Sequence, residues 1–319
     1  RLVLLRAVIC AMAFCALATP TLAQTKVKLT QWDIFAATAA NPAGPTENPA
    51  SIVLDAAGVA GPAGSVWTAS EQPTLRVGRL TPGASSGTPA TYDEWEPLSG
   101  TDASGAGPLV ALANNGNLWF TTGGSPQLIL TVPGPGTGTS TIFKKFAAPS
   151  TVVPISLAVD AAGNALVGTQ AAASGGSVYD NSLLRVPAAG GRAAQWKLGA
   201  GPNHVSVDGS GLIWFVLNTN VLARLNTTTN ELTTWLLPSG SDPDGLQVVN
   251  GVGGWTACIV SSGNSGAIDG QLTCLVSNPD TTYSFKSLTV GTPFSYPRDR
   301  KSTRLNSSHV KRSRMPSSA

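Results

Sequence analysis

Along the chain, short apolar runs of strand length alternate with turn signals, and one phrase recurs. An apolar run enters a D-x-x-G or N-x-G turn and leaves it as an apolar and aromatic run, which is how two antiparallel strands joined by a tight turn read in sequence. The copies are I-V-L-D-A-A-G from Ile52, V-A-L-A-N-N-G-N-L-W-F from Val110, S-L-A-V-D-A-A-G-N-A-L-V from Ser156, V-S-V-D-G-S-G-L-I-W-F from Val205 and L-Q-V-V-N-G-V-G-G-W from Leu246. A third run follows, with a basic residue between apolar ones, as in V-G-R-L from Val77, L-L-R-V from Leu183 and L-A-R-L from Leu222. An aromatic residue announces a fourth, at Trp95, Trp196 and Trp235. Asp160 and Asp208 lie 48 residues apart, and Trp214 and Trp255 lie 41 apart. Four short strands per unit at such a period predict an all-β propeller of four-stranded blades, about five of them present.

A four-stranded blade that is apolar on both faces cannot bury them alone, so the blades must stack around an axis. Trp67, Trp119, Trp214 and Trp255 are read at one place on the second strand, as packing between blades; an exposed aromatic row is the other reading. Asp55, Asp160 and Asp208 read first as turn residues whose carboxylates accept backbone N–H bonds, and second as catalytic acids. The segment K-V-K-L-T-Q-W-D-I-F from Lys26 has the look of a fourth strand without three before it. It is expected to act as a clasp for a closing blade. Few residues follow Y-S-F-K-S-L-T-V, so the ring is expected to be open and the chain short of blades.

Composition sharpens this picture. Only 12% of the residues are charged, while 35 glycines and 23 prolines supply the turns that short strands need. Residues 1–23 carry Arg1 and Arg6, an apolar run from Ala7 to Ala18, and Thr21-Leu22-Ala23 before Gln24, which is a signal-peptide pattern, clipped before its initiator, too short to span a bilayer. Ile9 and Phe14 precede Cys10 and Cys15 where a lipoprotein signal would want a small residue. The mature chain is expected to be secreted or periplasmic and monomeric. Residues 24–298 form the propeller. From Asp299 the chain reads D-R-K-S-T-R-L-N-S-S-H and later S-R-M-P-S-S-A, which resembles a translated sequencing adapter, so residues 299–319 are read as a non-native tail without order. The alternative is a natural basic tail.

The tail also decides the charge argument. It holds six basic residues against Asp299, so the formal +3 of the whole chain becomes −2 without it, and −4 once Arg1 and Arg6 are removed. A nucleic-acid partner loses its electrostatic support. Cys258 and Cys274 lie in W-T-A-C-I-V and Q-L-T-C-L-V, two runs that suit a hairpin; an exported chain would allow a disulfide there, and two buried thiols are the alternative. With one histidine, His204, in the native part and no cysteine cluster, no metal site and no cofactor are evident. There is no G-x-S-x-G elbow, P-loop, H-E-x-x-H or paired C-x-x-C.

The phrases G-N-L-W-F-T from Gly116, V-G-R-L from Val77 and V-S-V-D-G-S-G-L-I-W-F with V-L-A-R-L-N-T-T-T-N-E-L-T-T-W-L-L-P, between Val205 and Pro238, resemble the streptogramin lyase (virginiamycin B lyase) propellers and their NHL-like relatives, over about Ser51 to Leu275. The resemblance implies, for lyase members, opening of a cyclic depsipeptide ester by elimination, with a histidine as acid or base and carboxylates holding magnesium. His204, at the start of a first strand, is the candidate for that histidine. Pro202, Leu217 and Asn218 stand where supporting glutamates would be wanted, and Glu71 and Glu94 are the next polar candidates. Two function classes remain: a binding or scaffold propeller of the cell envelope that takes a small molecule or protein at its central channel, and a magnesium-dependent C–O lyase. A lactonase-type hydrolase is a third, without a located calcium set.

Overall fold

The computed structural model describes residues 49–70, 76–83, 90–95, 108–121, 128–132, 144–147, 152–171, 180–239, 241, 243–251, 254–261, 271–277 and 282–289. The expectations for the signal peptide, the segment Lys26 to Phe35, Glu71 and residues 299–319 lie outside them.

The described residues form five four-stranded sheets and no helix. The first blade comprises β1 (Pro49–Asp55), β2 (Ser65–Ser70), β3 (Arg76–Thr81) and β4 (Thr91–Trp95). The second comprises β5 (Val110–Leu112), β6 (Leu118–Thr121), β7 (Leu128–Val132) and β8 (Lys144–Ala147), and the third β9 (Val152–Val159), β10 (Ala165–Ala171), β11 (Ser182–Val186) and β12 (Ala194–Lys197). The fourth comprises β13 (Pro202–Val207), β14 (Ile213–Leu217), β15 (Val221–Asn226) and β16 (Glu231–Leu236), and the fifth β17 (Pro243–Gly251), β18 (Gly254–Ser261), β19 (Gln271–Ser277) and β20 (Tyr283–Thr289). Each blade is an antiparallel meander, and the first strands β1, β5, β9, β13 and β17 pack side by side in that order around an axis. Among the described residues β17 does not pack beside β1 in the same way, so the ring they form is open. This is a β-propeller.

The aspartates turn the chain as their spacing predicts. Asp208 Oδ1 accepts from Ser210 N at 2.9 Å and Leu212 N at 3.0 Å, and Asp55 accepts from Val59 N and Ala60 N. Asp160 does the same for Ala162 and Asn164. A carboxylate that accepts backbone N–H groups at a corner fixes where the first strand stops, and so sets the register of the second. The second blade has Ala113 at this place, and Asn115 Oδ1 supplies the acceptor for Asn117 N at 3.1 Å instead.

Register also identifies which residues are equivalent. Each first strand carries a proline at or near its start, at Pro49, Pro108, Pro154, Pro202 and Pro243. Counting back three residues from the partner of that proline on the second strand reaches Trp67, Leu166, Trp214 and Cys258, and Trp119 fills the place in the second blade. Directly across on the third strand stand Arg79, Thr131, Arg185, Arg224 and Cys274. Trp67, Trp119 and Trp214 are fully buried, each packed against the following blade. The expected row of tryptophans is therefore an inter-blade core, with one correction. Trp255 is not its fifth member: it pairs with Asn250 beside the β17–β18 turn, three residues before Cys258. The β17–β18 pairing runs on to Gly251 and Gly254, and an odd offset along a strand exchanges the two faces.

Compensation around this position explains the polar contacts. In the fourth blade Trp214 Nε1 donates to Asp208 Oδ2 at 2.8 Å. Leu166 has no such donor, so Arg185 reaches Asp160 instead, Nη2 to Oδ2 at 2.6 Å. Trp119 lacks the aspartate and donates to Gly163 O of the third blade at 2.9 Å. Arg224 lies over the rings of Trp214, Trp235 and Tyr283 at 5.3, 5.4 and 5.9 Å. Its Nη1 donates to the Tyr283 hydroxyl at 3.3 Å and so ties the fourth blade to the fifth.

Candidate functional site

The first strands all begin at one end of the ring, where the second strands end, and that end holds His204. Ser156 and His204 each lie two residues after the proline at or near the start of their strand, as does Ser51. Ser156 Oγ donates to Pro202 O at 2.7 Å, across the joint between the third and fourth blades. His204 Nε2 lies 3.1 Å from Pro243 O, across the joint between the fourth and fifth. A carbonyl oxygen only accepts, so in this contact Nε2 carries the proton. Ser51 makes the related contact between the first two blades by accepting from Val110 N at 3.1 Å. The second residue after the proline thus serves as the tether from blade to blade, filled twice by serine and once by histidine. Gly168 leaves room for it: a Cβ there would overlap Ser156 Oγ and Pro202 O.

His204 is held with φ 51°, in the left-handed region, where β13 bulges between Asn203 and Ser206. A Cβ there is strained by about 1 kcal/mol, and the bulge turns His204 toward the next blade. Replacing His204 by alanine keeps the strain and removes the tether, and is expected to lower the unfolding free energy by about 1–2 kcal/mol. Glycine removes both, and is expected to lose about half as much. Urea unfolding of the two variants checks the order.

At this end of the ring three carboxamides meet. Asn203 Nδ2 donates to Asn218 Oδ1, and Asn218 Nδ2 donates to Gln170 Oε1 at 3.2 Å, so three amides from the third and fourth blades form a head-to-tail chain. All three are half-buried or exposed. Gly201 makes the space, since a Cβ there would lie 2.9 Å from Asn218 Nδ2. Leu217 pairs with Pro202, and Asn218 N donates to Gly201 O at 3.1 Å, which puts both residues opposite the start of β13. Asp244 follows the Pro243 carbonyl directly; the repeated prolines mark it as the equivalent of Asn203, and it was not among the candidates from sequence. Glu94 pairs with Gly78 in the outer part of the first blade, four blades along the chain from β17. The structure does not bring it to His204.

Among the described residues no three His, Cys, Asp or Glu side chains gather as a metal site. Magnesium binds through carboxylate oxygens in a strict octahedron, and the neutral carboxamides of Asn203, Asn218 and Gln170 are a poor match for it. Cys258 and Cys274 face each other across β18 and β19 with Cα atoms 4.0 Å apart, joined as a disulfide in the place that tryptophan and arginine fill in the fourth blade.

No family model matches the chain, and no curated protein matches it. Among solved structures it is similar to a candidate 6-phosphogluconolactonase from Bacteroides uniformis, at 14% identity and TM-score 0.49 over 77% of this chain and 73% of that one. It is also similar to the β-propeller domain of Cps50 (Swd1) from Myceliophteria thermophila, at 10% identity and TM-score 0.45 over 76% and 75% of the two chains. A protein of unknown function from Bacteroides caccae shares 14% identity at TM-score 0.43 over 70% and 74%. These likenesses concern the fold and bring no chemistry to this chain.

Proposed function

We propose that the chain is an exported binding propeller that takes its partner at the end of the ring where the first strands begin, and performs no catalytic step there. The supporting observation is the position of His204. It spans the joint to Pro243 O two residues after its strand's proline, as Ser156 spans the joint to Pro202 O two residues after Pro154, and a serine does that work without any proton transfer. A lyase needs a histidine with an orienting acid and a second group for the leaving oxygen. The side chains that gather at this end, Asn203, Asn218 and Gln170, are neutral carboxamides, which neither take up nor release a proton near neutral pH.

The test is incubation of the full chain with a streptogramin B-type cyclic depsipeptide and Mg²⁺, with ring opening followed by chromatography. The expected result is conversion no faster than buffer, for the parent chain and for His204→Ala alike. Magnesium-dependent conversion that disappears in His204→Ala would overturn the proposal and restore the lyase reading.

A further inference from the structure

We infer that the amide chain of Asn203, Asn218 and Gln170 is a recognition element for the main chain of an uncharged, extended peptide, which deepens the binding role proposed above and rests on it. A carboxamide carries two donors and an oxygen with two acceptor positions. Within the chain Asn203 spends one donor, Asn218 one donor and one acceptor position, and Gln170 one acceptor position. Each amide therefore keeps at least one donor and one acceptor. That pair, on one planar group, is the complement of a backbone N–H and C=O of the same ligand residue. Hydrogen bonding along the chain orients the three groups in advance, which lowers the entropy lost when a ligand binds.

The position fits this use. Gln170 is the last residue but one of β10, Asn218 follows β14 and Asn203 lies in β13, so the row crosses from one blade to the next at the end where the first strands begin. Gly201 lacks the Cβ that would displace the Asn218 amide. The three amides have no net charge, so an acidic or basic ligand would find no counter-charge in the row itself. Main-chain groups are read without regard to side chains, and the preference expected is for neutral, flexible peptide.

The experiment uses side-chain NH₂ resonances of the isotope-labelled full chain. The probes are capped penta-alanine, the same peptide N-methylated at every residue, and maltose. Penta-alanine is expected to shift the NH₂ pairs of Asn203, Asn218 and Gln170 with saturation in the millimolar range, while N-methylation, which deletes the donors, abolishes the shifts. Asn218→Asp removes the donor to Gln170 with little change of volume, and is expected to weaken the peptide about fivefold or more. Asn218→Ser guards against a misfolded variant, since its folded spectrum with equally weakened binding supports the same conclusion. Shifts by maltose alone, equal shifts by both peptides, or no shifts would overturn the inference. The depsipeptide assay separates the two claims: a chain silent to peptide and inert toward the ester loses this inference only, whereas ester opening removes the binding role itself.

Discussion

Trp214→Ala is expected to lower the unfolding free energy by about 3–5 kcal/mol, the range for emptying a fully buried aromatic site. Trp214 is 1% exposed, stacks on Trp235 at 5.5 Å between centroids, and carries Arg224 over its face. Its removal opens a cavity between the fourth and fifth blades and takes the Nε1 donor from Asp208, itself 5% exposed. Trp214→Phe keeps most of the ring and loses the donor, so it isolates the hydrogen bond, with an expected cost of about 1–3 kcal/mol. Pairing it with Asp208→Asn in a double-mutant cycle measures the coupling, because Asn retains an acceptor for the turn. Chemical denaturation with an unchanged m-value is the appropriate measurement. A Trp214→Ala variant within about 0.5 kcal/mol of the parent, the span of ordinary surface changes, would mean that the tryptophan row is not the inter-blade core.

Cys258→Ala with Cys274→Ala is expected to cost about 2–4 kcal/mol, as for closure of a loop of this length. The two residues are 16 apart in sequence and each is 2% exposed, packed with Leu272. The cross-link holds β18 to β19 at the position where the fourth blade relies on Trp214 facing Arg224. Alanine leaves that place without the cross-link and without a large ring, and a small residue pair has nothing to replace either. Denaturation of the parent in reductant should approach the double variant. If the parent, unfolded without reductant, titrates with two more free thiols than the double variant, the cysteines are buried thiols and the expected loss falls to that of two small cavities.

The fold was largely legible because its determinants are local. A D-x-x-G corner, a two-residue alternation and a period of blade length lie within a few dozen residues, and Asp55, Asp160 and Asp208 do at their turns what their spacing implies. The candidate site was less legible. His204 stood out as a lone histidine at a strand start, yet its role depends on Pro243 O, 39 residues away in the next blade. The prolines that recur at the first strands are the signal in the chain that aligns His204 with Ser156, and Asp244 with Asn203.

What the sequence by itself determined was the class of fold, the number of recognisable blades and the residues that turn the chain, since each blade carries its own strand and turn code. Tertiary structure alone decided equivalence between blades. Trp255 looked like the fifth tryptophan by spacing, but strand pairing puts Cys258 in that place, because a longer β17–β18 hairpin shifts the register by an odd number of residues. It also decided that His204 serves as a tether and that Asn203, Asn218 and Gln170 meet. Those contacts join side chains from different blades, and the packing of one sheet on the next, rather than any pattern along the chain, brings them within hydrogen-bond reach.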